Sequence, residues 1–440
     1  MKESNVNILI CTYGTGIGGM EVFFANYAKY LISNQYSVYF VTQDSTLNIY
    51  DKLLKEEKDR IHFARYAPNN ILYMSEKERE QQRKNVLIQL KDINWNHAYA
   101  VGGYFSDMML MMSLFREKKI PLTHIWSHPL GWVGYSFLQK NKYHYKKRKR
   151  SSVFYYQKTL LESMDINMSS YYTSYAIFNY NSWYYEVNLR KRTIEGLPIQ
   201  TNIGAPFNYR YNQNTNELKV LWVGRFDYFK NDAIIYISNT LDRIAKEKKI
   251  KISFTVVGKG SPKYESELRN KLKSKHIKIE IQGVIQPEFL NSIFAKMDIG
   301  IGMGVTVKQM GFAGLPAILI DSRDRDYKEE KCCNWVFDIE TGDDGDGMYY
   351  YYIGHPLSYR KSLYNVLLEV VDEPSKLSEF SSKCKSFVSK NYSYDRQYGI
   401  ITERVVNSTF TGEGFEIYRY GFVRRLLRKI VRLSRTFKIH

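Results

Sequence analysis

No Cys-x-x-Cys spacing occurs in this chain. The four cysteines, Cys11, Cys332, Cys333 and Cys384, are too few and too irregularly spaced for a zinc site or a disulfide framework. Such usage fits a reducing compartment. No apolar run approaches the roughly 18 residues that a spanning helix needs. The short run Val6–Cys11 follows Glu3 and suits a first strand better than the apolar part of a leader. No internal repeat is visible, and no recognised nucleic-acid motif is present. The segment Asp343-Asp344-Gly345-Asp346-Gly347 lacks the spacing and closing Glu of a calcium loop, so a solvated turn is expected there.

Acidic residues are missing from two stretches in particular. Lys140 to Arg150 carries seven Lys and Arg and no acid, and Gly421 to His440 carries seven more, again with none. Together they supply 14 of the formal net charge of +19. Charge gathered in two patches points to a polyanionic partner surface. In the second stretch Phe422, Val423, Leu426, Leu427, Ile430, Val431 and Phe437 form a broad apolar stripe, with Arg424, Arg425, Arg428, Lys429, Arg432 and Arg435 around the remainder. This composition suits a basic amphipathic helix lying in an anionic membrane interface, each basic residue adding about 1 kcal/mol. The alternative is a terminal helix docked on the protein. The second basic patch favours the membrane, because two patches can anchor one molecule.

At 440 residues, with 44% hydrophobic and 15% aromatic content, the chain is a fully folded globular protein too long for one ordinary core. Val6–Cys11, a glycine-rich loop over Gly14–Gly19, a helix carrying Met20, Phe23, Phe24, Tyr27 and Leu31 on one face, and a strand at Tyr36–Thr42 form a βαβ start. A helix is expected over Phe154–Ser163. Later, strands at Leu218–Val223, Ile252–Val257, Ile277–Ile281, Ile299–Met303 and Ala317–Ile320 alternate with helices near Ala233–Lys246, Tyr264–Ser274 and Glu288–Lys296. That alternation predicts an α/β protein whose parallel sheet is covered on both faces. Two doubly wound domains facing a cleft follow. The expected division is residues 1–207, residues 217–385, a helical crossover over 386–410 and a basic tail over 411–440, with the first boundary in the polar stretch Asn208–Asn216.

Two turns in the second half have the chemistry of anion sites. Gly224-Arg225-Phe226-Asp227-Tyr228-Phe229-Lys230 follows the apolar run Val220–Val223 and presents two cations. Gly302-Met303-Gly304-Val305-Thr306 opens a short helix with no acid at its start. Cations and a helix N-terminus at strand ends suit a diphosphate.

This order of parts resembles the GT-B glycosyltransferases, and more narrowly the family-4 retaining enzymes that use nucleotide-sugars. The resemblance covers residues 6–42 and 218–321 well and the region between only loosely. Gly18-Gly19-Met20-Glu21 is similar to the family's Gly-Gly-x-Glu, which implies that Gly18 and Gly19 approach the donor and Glu21 the acceptor or sugar. Arg225 and Lys230 match its Arg-x4-Lys pair, implied to clamp the donor diphosphate as charge grows on it. Met303, Gly304, Val305 and Thr306 correspond to its donor-binding turn, and Val284 and Ile285, after Gly283, to the place where the nucleobase is held. A core role for the last two is the alternative. His128, in Trp126-Ser127-His128-Pro129, falls where an N-domain histidine faces the sugar; His97 and His124 are weaker candidates.

The family's Glu-x7-Glu is absent. Counting back from Gly314 and Pro316 places Ile301 and Gln309 at its two positions. Gln309 would be a neutral partner for the ribose, or else would close a capping box begun by Thr306. Asp324-Arg325-Asp326 mimics a metal motif of the other glycosyltransferase fold but lacks its context, and no essential metal is expected.

What the resemblance implies is a transferase moving a sugar, with retention, from a UDP- or GDP-sugar co-substrate to a lipid-linked or polysaccharide acceptor in surface glycan assembly. Its expected location is cytoplasmic, peripheral on the inner face of the cell membrane, and nucleic acid is not an expected partner. Loss of both acids leaves a second possibility, a catalytically inactive partner subunit of the same fold that binds acceptor or stabilises another transferase.

Overall fold

The computed structural model describes residues 6–12, 19–66, 71–128, 131–132, 152–190, 194–199, 206–207, 209, 217–324 and 326–418. Gly18, the basic run 140–150 and the tail residues Arg424, Arg425, Arg428, Lys429 and Arg432 lie outside them. The chain divides into two compact units: Met1–Tyr172, Asn181–Arg192 and Tyr398–His440 form one, and Thr173–Tyr180 with Thr193–Gln397 the other. The polar stretch 208–216 therefore falls within the span of the second unit, and the chain rejoins the first at Tyr398, inside the expected 386–410 crossover.

The first unit is built on β1 (Asn7–Cys11), α1 (Gly19–Ser33), β2 (Ser37–Gln43), α2 (Asp44–Leu53), β3 (Ile61–Tyr66), α3 (Glu76–Gln89), β4 (Ala98–Gly102), α4 (Phe105–Phe115), β5 (Leu122–Trp126), α5 (Ser152–Ile166) and β6 (Ser170–Tyr172), after which α6 (Tyr175–Tyr185) begins. Its six strands run in the order β3-β2-β1-β4-β5-β6, every pair parallel. Strands covered on both faces are mostly apolar, and β1 and β5 are buried along their whole length. The helix α4, Phe-Ser-Asp-Met-Met-Leu-Met-Met-Ser-Leu-Phe, is buried almost all round.

The second unit comprises β7 (Glu217–Val223), α7 (Tyr228–Lys248), β8 (Lys251–Val257), α8 (Pro262–Lys271), β9 (Lys278–Gln282), α9 (Leu290–Phe294), β10 (Ile299–Gly302), α10 (Gly304–Ala313), β11 (Ala317–Ile320), β12 (Lys331–Trp335), α11 (Gly347–Tyr352), β13 (Lys361–Ser362), α12 (Leu363–Val371) and α13 (Lys376–Asn391). The strand order is β13-β12-β11-β10-β7-β8-β9. The five strands expected from the sequence are parallel, but β12 and β13 add an antiparallel edge. Leu221, Val257, Val307, Met310, Leu319, Cys384 and Val388 meet in its core. Each such side chain contributes about 2 kcal/mol by leaving water.

The last helix among the described residues, α14 (Tyr394–Val406), carries the chain back to the first unit. There Tyr398 donates its hydroxyl to the Phe23 carbonyl at 3.1 Å and stacks on Tyr27 and Tyr30. Phe410 then accepts from Leu122 N–H at 2.7 Å, tying the following segment to β5.

Candidate functional site

The Arg225 loop is shaped by backbone contact before any side chain acts. Gly224 N–H donates to the Val257 carbonyl and Phe226 N–H to the Lys259 carbonyl, both at 3.0 Å. A Cβ at Gly258 would stand 1.9 Å from the Gly224 carbonyl oxygen, and one at Gly260 would stand 2.4 Å from that of Phe226. Val257-Gly258-Lys259-Gly260 is therefore a track on which the loop lies, and its glycines are required by close approach. Phe226 turns inward and is buried, while Arg225 turns outward with 65% of its side chain exposed. Asp227 caps α7: its Oδ1 accepts from Lys230 N–H at 3.1 Å, and its Oδ2 accepts from Arg225 Nε at 3.3 Å. Burial presses the Lys230 ammonium below its ordinary range. Asp227 opposes the shift, and Arg225 adds to it. An anion arriving here would relieve both cations.

The second turn leaves β10 at Gly302. Gly304 adopts φ +63°, a left-handed conformation that suits glycine, and no side chain caps the α10 start. The helix ends at Gly314, φ +106°, before Pro316, as the stop signals predict. It begins at Gly304, with Met303 at the cap, so Thr306 lies inside the first turn and the capping box with Gln309 does not form. Gln309 is instead buried, and its Nε2 has no hydrogen-bond partner among the described residues.

Strand order brings the two turns together. β7 and β10 are parallel neighbours, with Val220 opposite Ile299 and Leu221 opposite Gly300. The Arg225 loop leaves β7 after Val223 and the Gly304 turn leaves β10 after Gly302, so both start from the carboxyl ends of neighbouring strands. Adjacent strands lie about 4.8 Å apart. From β7 the chain winds to β8 and β9 on one side, and from β10 to β11 on the other, so this junction is the topological switch point. In open α/β sheets the crevice at the carboxyl ends of the strands there is where ligands bind.

The Asp343–Gly347 segment is not the solvated turn the sequence suggested. Asp343 is buried, and a Cβ at Gly347 would fall 2.1 Å from Asp321 Oδ2. Arg360, almost fully buried, donates through Nη2 to Asp321 Oδ1 at 2.5 Å and Asp343 Oδ1 at 3.0 Å. Lys308, wholly buried, pairs with Asp344. These cations overturn the solvated reading, since they neutralise carboxylates that would otherwise need water. The acids still outnumber the cations. Burial, with Asp344, Asp343 and Asp321 nearby, pushes the Asp346 carboxyl up to about 7, and Ser174 Oγ donates to it at 3.1 Å. Ser174, Tyr175, Glu340, Asp343, Asp344 and Asp346 line part of a small pocket here. Lys308 was legible in one respect: it is the sole charge in the otherwise apolar or neutral run Gly304–Ala313. Gly258 and Gly260 were legible as two glycines directly after a strand.

The remaining candidates are more scattered. Val284, after β9, is 65% exposed, whereas Ile285 packs on the second unit's core. A core role thus fits Ile285 and not Val284. Within the first unit, Gly19 is exposed at the α1 start and Glu21 is buried in its first turn. His128 is exposed just past β5, its carbonyl accepting from Gly131 N–H at 3.0 Å. His124, on β5 itself, is a core residue: its Nε2 accepts from Trp132 Nε1 at 2.9 Å, and burial drives its pKa down to about 3, leaving it neutral. Asp324 Oδ1 accepts from the N–H groups of Asp326 and Tyr327, both at 2.9 Å, and from the Tyr352 hydroxyl at 2.6 Å, so it closes its own loop.

No family model matches the sequence, and no curated protein matches it. Solved structures do resemble the fold. A sucrose-phosphate synthase from Thermosynechococcus elongatus aligns at TM-score 0.57 and 13% identity, over 91% of this chain and 98% of that one. HepE of Anabaena, in complex with UDP and glucose, aligns at 0.57 and 11%, over 90% and 98%. WaaG, a glycosyltransferase involved in lipopolysaccharide biosynthesis, aligns at 0.52 and 12%, over 90% and 99%. These neighbours are GT-B glycosyltransferases. The fold is GT-B. At such identities the likeness establishes the fold alone, and the activity has to be argued from the residues.

Proposed function

We propose that this protein is a glycosyltransferase that takes a sugar from a nucleoside-diphosphate donor. The observation that carries the reading is the placement of the Arg225–Lys230 loop and the Gly304 turn on adjacent strand ends at the switch point. As the glycosidic bond to the diphosphate breaks, negative charge grows on the departing oxygen. Arg225 and Lys230 meet that charge, and the α10 start, which no side chain caps, adds its dipole. Retention, a sugar-side role for His128 and Glu21, and approach of Gly18 and Gly19 to the donor follow the family-4 resemblance. A UDP- or GDP-sugar is the proposed donor, and the transfer needs no metal in this scheme because the fixed cations do that work.

The proposed acceptor is lipid-linked or a growing glycan, presented at the cytoplasmic face of the membrane, where the basic patches at 140–150 and 421–440 would hold the enzyme. Flotation with anionic vesicles, lost on deletion of residues 421–440 and absent with zwitterionic vesicles, is the expected result. Equal flotation of both forms would remove the tail from the membrane scheme.

A thermal-shift screen of the full chain against UDP-, GDP-, CMP- and dTDP-sugars tests the donor. A ligand at roughly 100 times its dissociation constant adds about 2.7 kcal/mol, a readily visible shift. At least one donor is expected to stabilise the chain. Silence across the panel would favour the second reading, an inactive partner subunit of the same fold, which the absence of acids at Ile301 and Gln309 motivates.

A further inference from the structure

Behind the anion-binding turn, the buried Lys308 and the half-buried Asp344 form an ion pair, and we propose that this pair is a positioning device that holds the Gly304 turn in the shape a diphosphate needs. The inference rests on the donor-site reading above and adds two residues to which that reading gives no role.

Asp344 touches α10 at two points. Its backbone carbonyl accepts from Gly304 N–H at 2.8 Å, and its carboxylate takes the Lys308 ammonium. Gly304 and Lys308 are four residues apart, so they lie one above the other on the same helix face. One residue thus straddles the first turn of the helix. The Lys308 ammonium also stands 4.0 Å from the centre of the Tyr392 ring. Burial works against this charge, but Asp344 and Tyr392 outweigh it and raise the pKa of the ammonium.

The loop carrying Asp344 cannot drift. Gly342 N–H donates to the Tyr392 hydroxyl at 3.0 Å, Ser322 N–H to the Gly345 carbonyl at 2.7 Å, and Gly347 N–H to Asp321 Oδ1 at 3.1 Å. Gly345 sits at φ +84°, and a Cβ there would stand 2.4 Å from the Ile320 carbonyl oxygen and 3.1 Å from Met303 Cβ. Asp344 is therefore a fixed anchor, pressed beside the very residue that leads into Gly304.

Glycine at position 304 has wide conformational freedom, which an anion site must suppress in advance. The latch suppresses it. A pair of apolar side chains would fill the same space with less desolvation, but without a directional tether. With Gly304 N–H held by Asp344, the next amides of the helix start, at Val305 and Thr306, belong to the first turn, which has no acceptor within the helix itself. Residues acting this way should affect diphosphate recognition and leave the rest of the nucleotide alone.

The test compares the full-length wild type, Lys308→Met/Asp344→Asn, Lys308→Arg and Arg225→Ala by calorimetric titration with UDP, GDP, UMP and GMP. The double variant leaves no unpaired charge and is expected to melt cooperatively. It should lose about tenfold or more in nucleoside-diphosphate affinity while its monophosphate affinity stays within about twofold. Lys308→Arg, which keeps the tether, should stay within about threefold of wild type for the diphosphate. Should the double variant fail to fold, Asp344→Asn alone replaces it under the same thresholds, because it keeps the side-chain volume and the carbonyl bond to Gly304. An undiminished diphosphate affinity in these variants, alongside its loss in Arg225→Ala, overturns the positioning role alone. So does an equal loss for mono- and diphosphates, which would mark a general structural effect. A wild-type chain that binds no nucleotide overturns the donor site and this inference with it.

Discussion

Arg225→Ala is expected to cut turnover of the nucleotide-sugar by roughly a hundredfold or more, the scale of losing one preorganised group aimed at developing charge. The same variant should fold normally. Arg225 is largely exposed and pairs with Asp227, whose cap on Lys230 N–H uses the other carboxylate oxygen. Its removal costs no core packing, and exposed substitutions of this kind usually change stability by no more than about 0.5 kcal/mol. Arg225→Lys should recover part of the loss, since it restores the charge without the planar fork that matches phosphate oxygens. Steady-state kinetics with the donor found in the thermal-shift screen, together with a melting curve, checks both halves. Unchanged turnover in Arg225→Ala would falsify the diphosphate clamp. A chain that no longer folds would instead show that the loop is a structural element.

The largest loss of stability is expected from Arg360→Met. The guanidinium is buried against Asp321 and Asp343, and burying a methionine in its place strands both carboxylates away from water. Removing one partner of a buried ion pair costs on the order of 3–5 kcal/mol. The deficit should depend on pH in a definite direction. Burial raises the folded pKa of Asp321 to about 6 even with Arg360 opposing it, and Asp343 adds to the rise. An unfolded aspartate titrates near 3.9. A carboxyl with a raised folded pKa contributes stability that is complete below its unfolded pKa and is lost as pH climbs through the folded one. Without Arg360 that folded pKa rises further, so the variant continues to lose stability up to a higher pH than the wild type. The gap between the two chains should therefore be widest near pH 8 and narrow towards pH 5. Urea unfolding at several pH values measures it, and a gap that stays constant would mean that Asp321 is not left stranded.

Where the sequence was read correctly, the information was local. The strands Leu218–Val223, Ile252–Val257 and Ala317–Ile320 were visible as short apolar runs between helical patterns, and their bounds shift by at most one residue in the structure. The stop at Gly314 and Pro316, the glycine opening of α10 and the spacing of Arg225 and Lys230 are also properties of a few neighbouring residues. The errors arose where burial depends on distant parts of the chain. Aspartates and glycines at 343–347 have the composition of an exposed turn, and nothing nearby in the sequence says that Arg360 and Lys308 will meet them. Thr306 and Gln309 have the spacing of a capping box, but the helix begins three residues earlier, with Met303 at the cap and Gly304 donating to Asp344. His124 and His128 stand four residues apart, and their place relative to the end of β5, with Trp126 and Trp132 packed on His124, makes one core and the other exposed.

The amino-acid sequence by itself determined the alternation of strands and helices, the two turns rich in cations or bare amides, and the absence of acids at Ile301 and Gln309. Period and turn chemistry act over a few residues, so they survive in the one-dimensional record. Only the tertiary structure decided that β7 and β10 are neighbours, that β12 and β13 add an antiparallel edge, and that the Asp343–Gly347 segment is a buried brace against α10. Those choices depend on which surfaces exclude water from one another, and residues remote in the chain make that selection together.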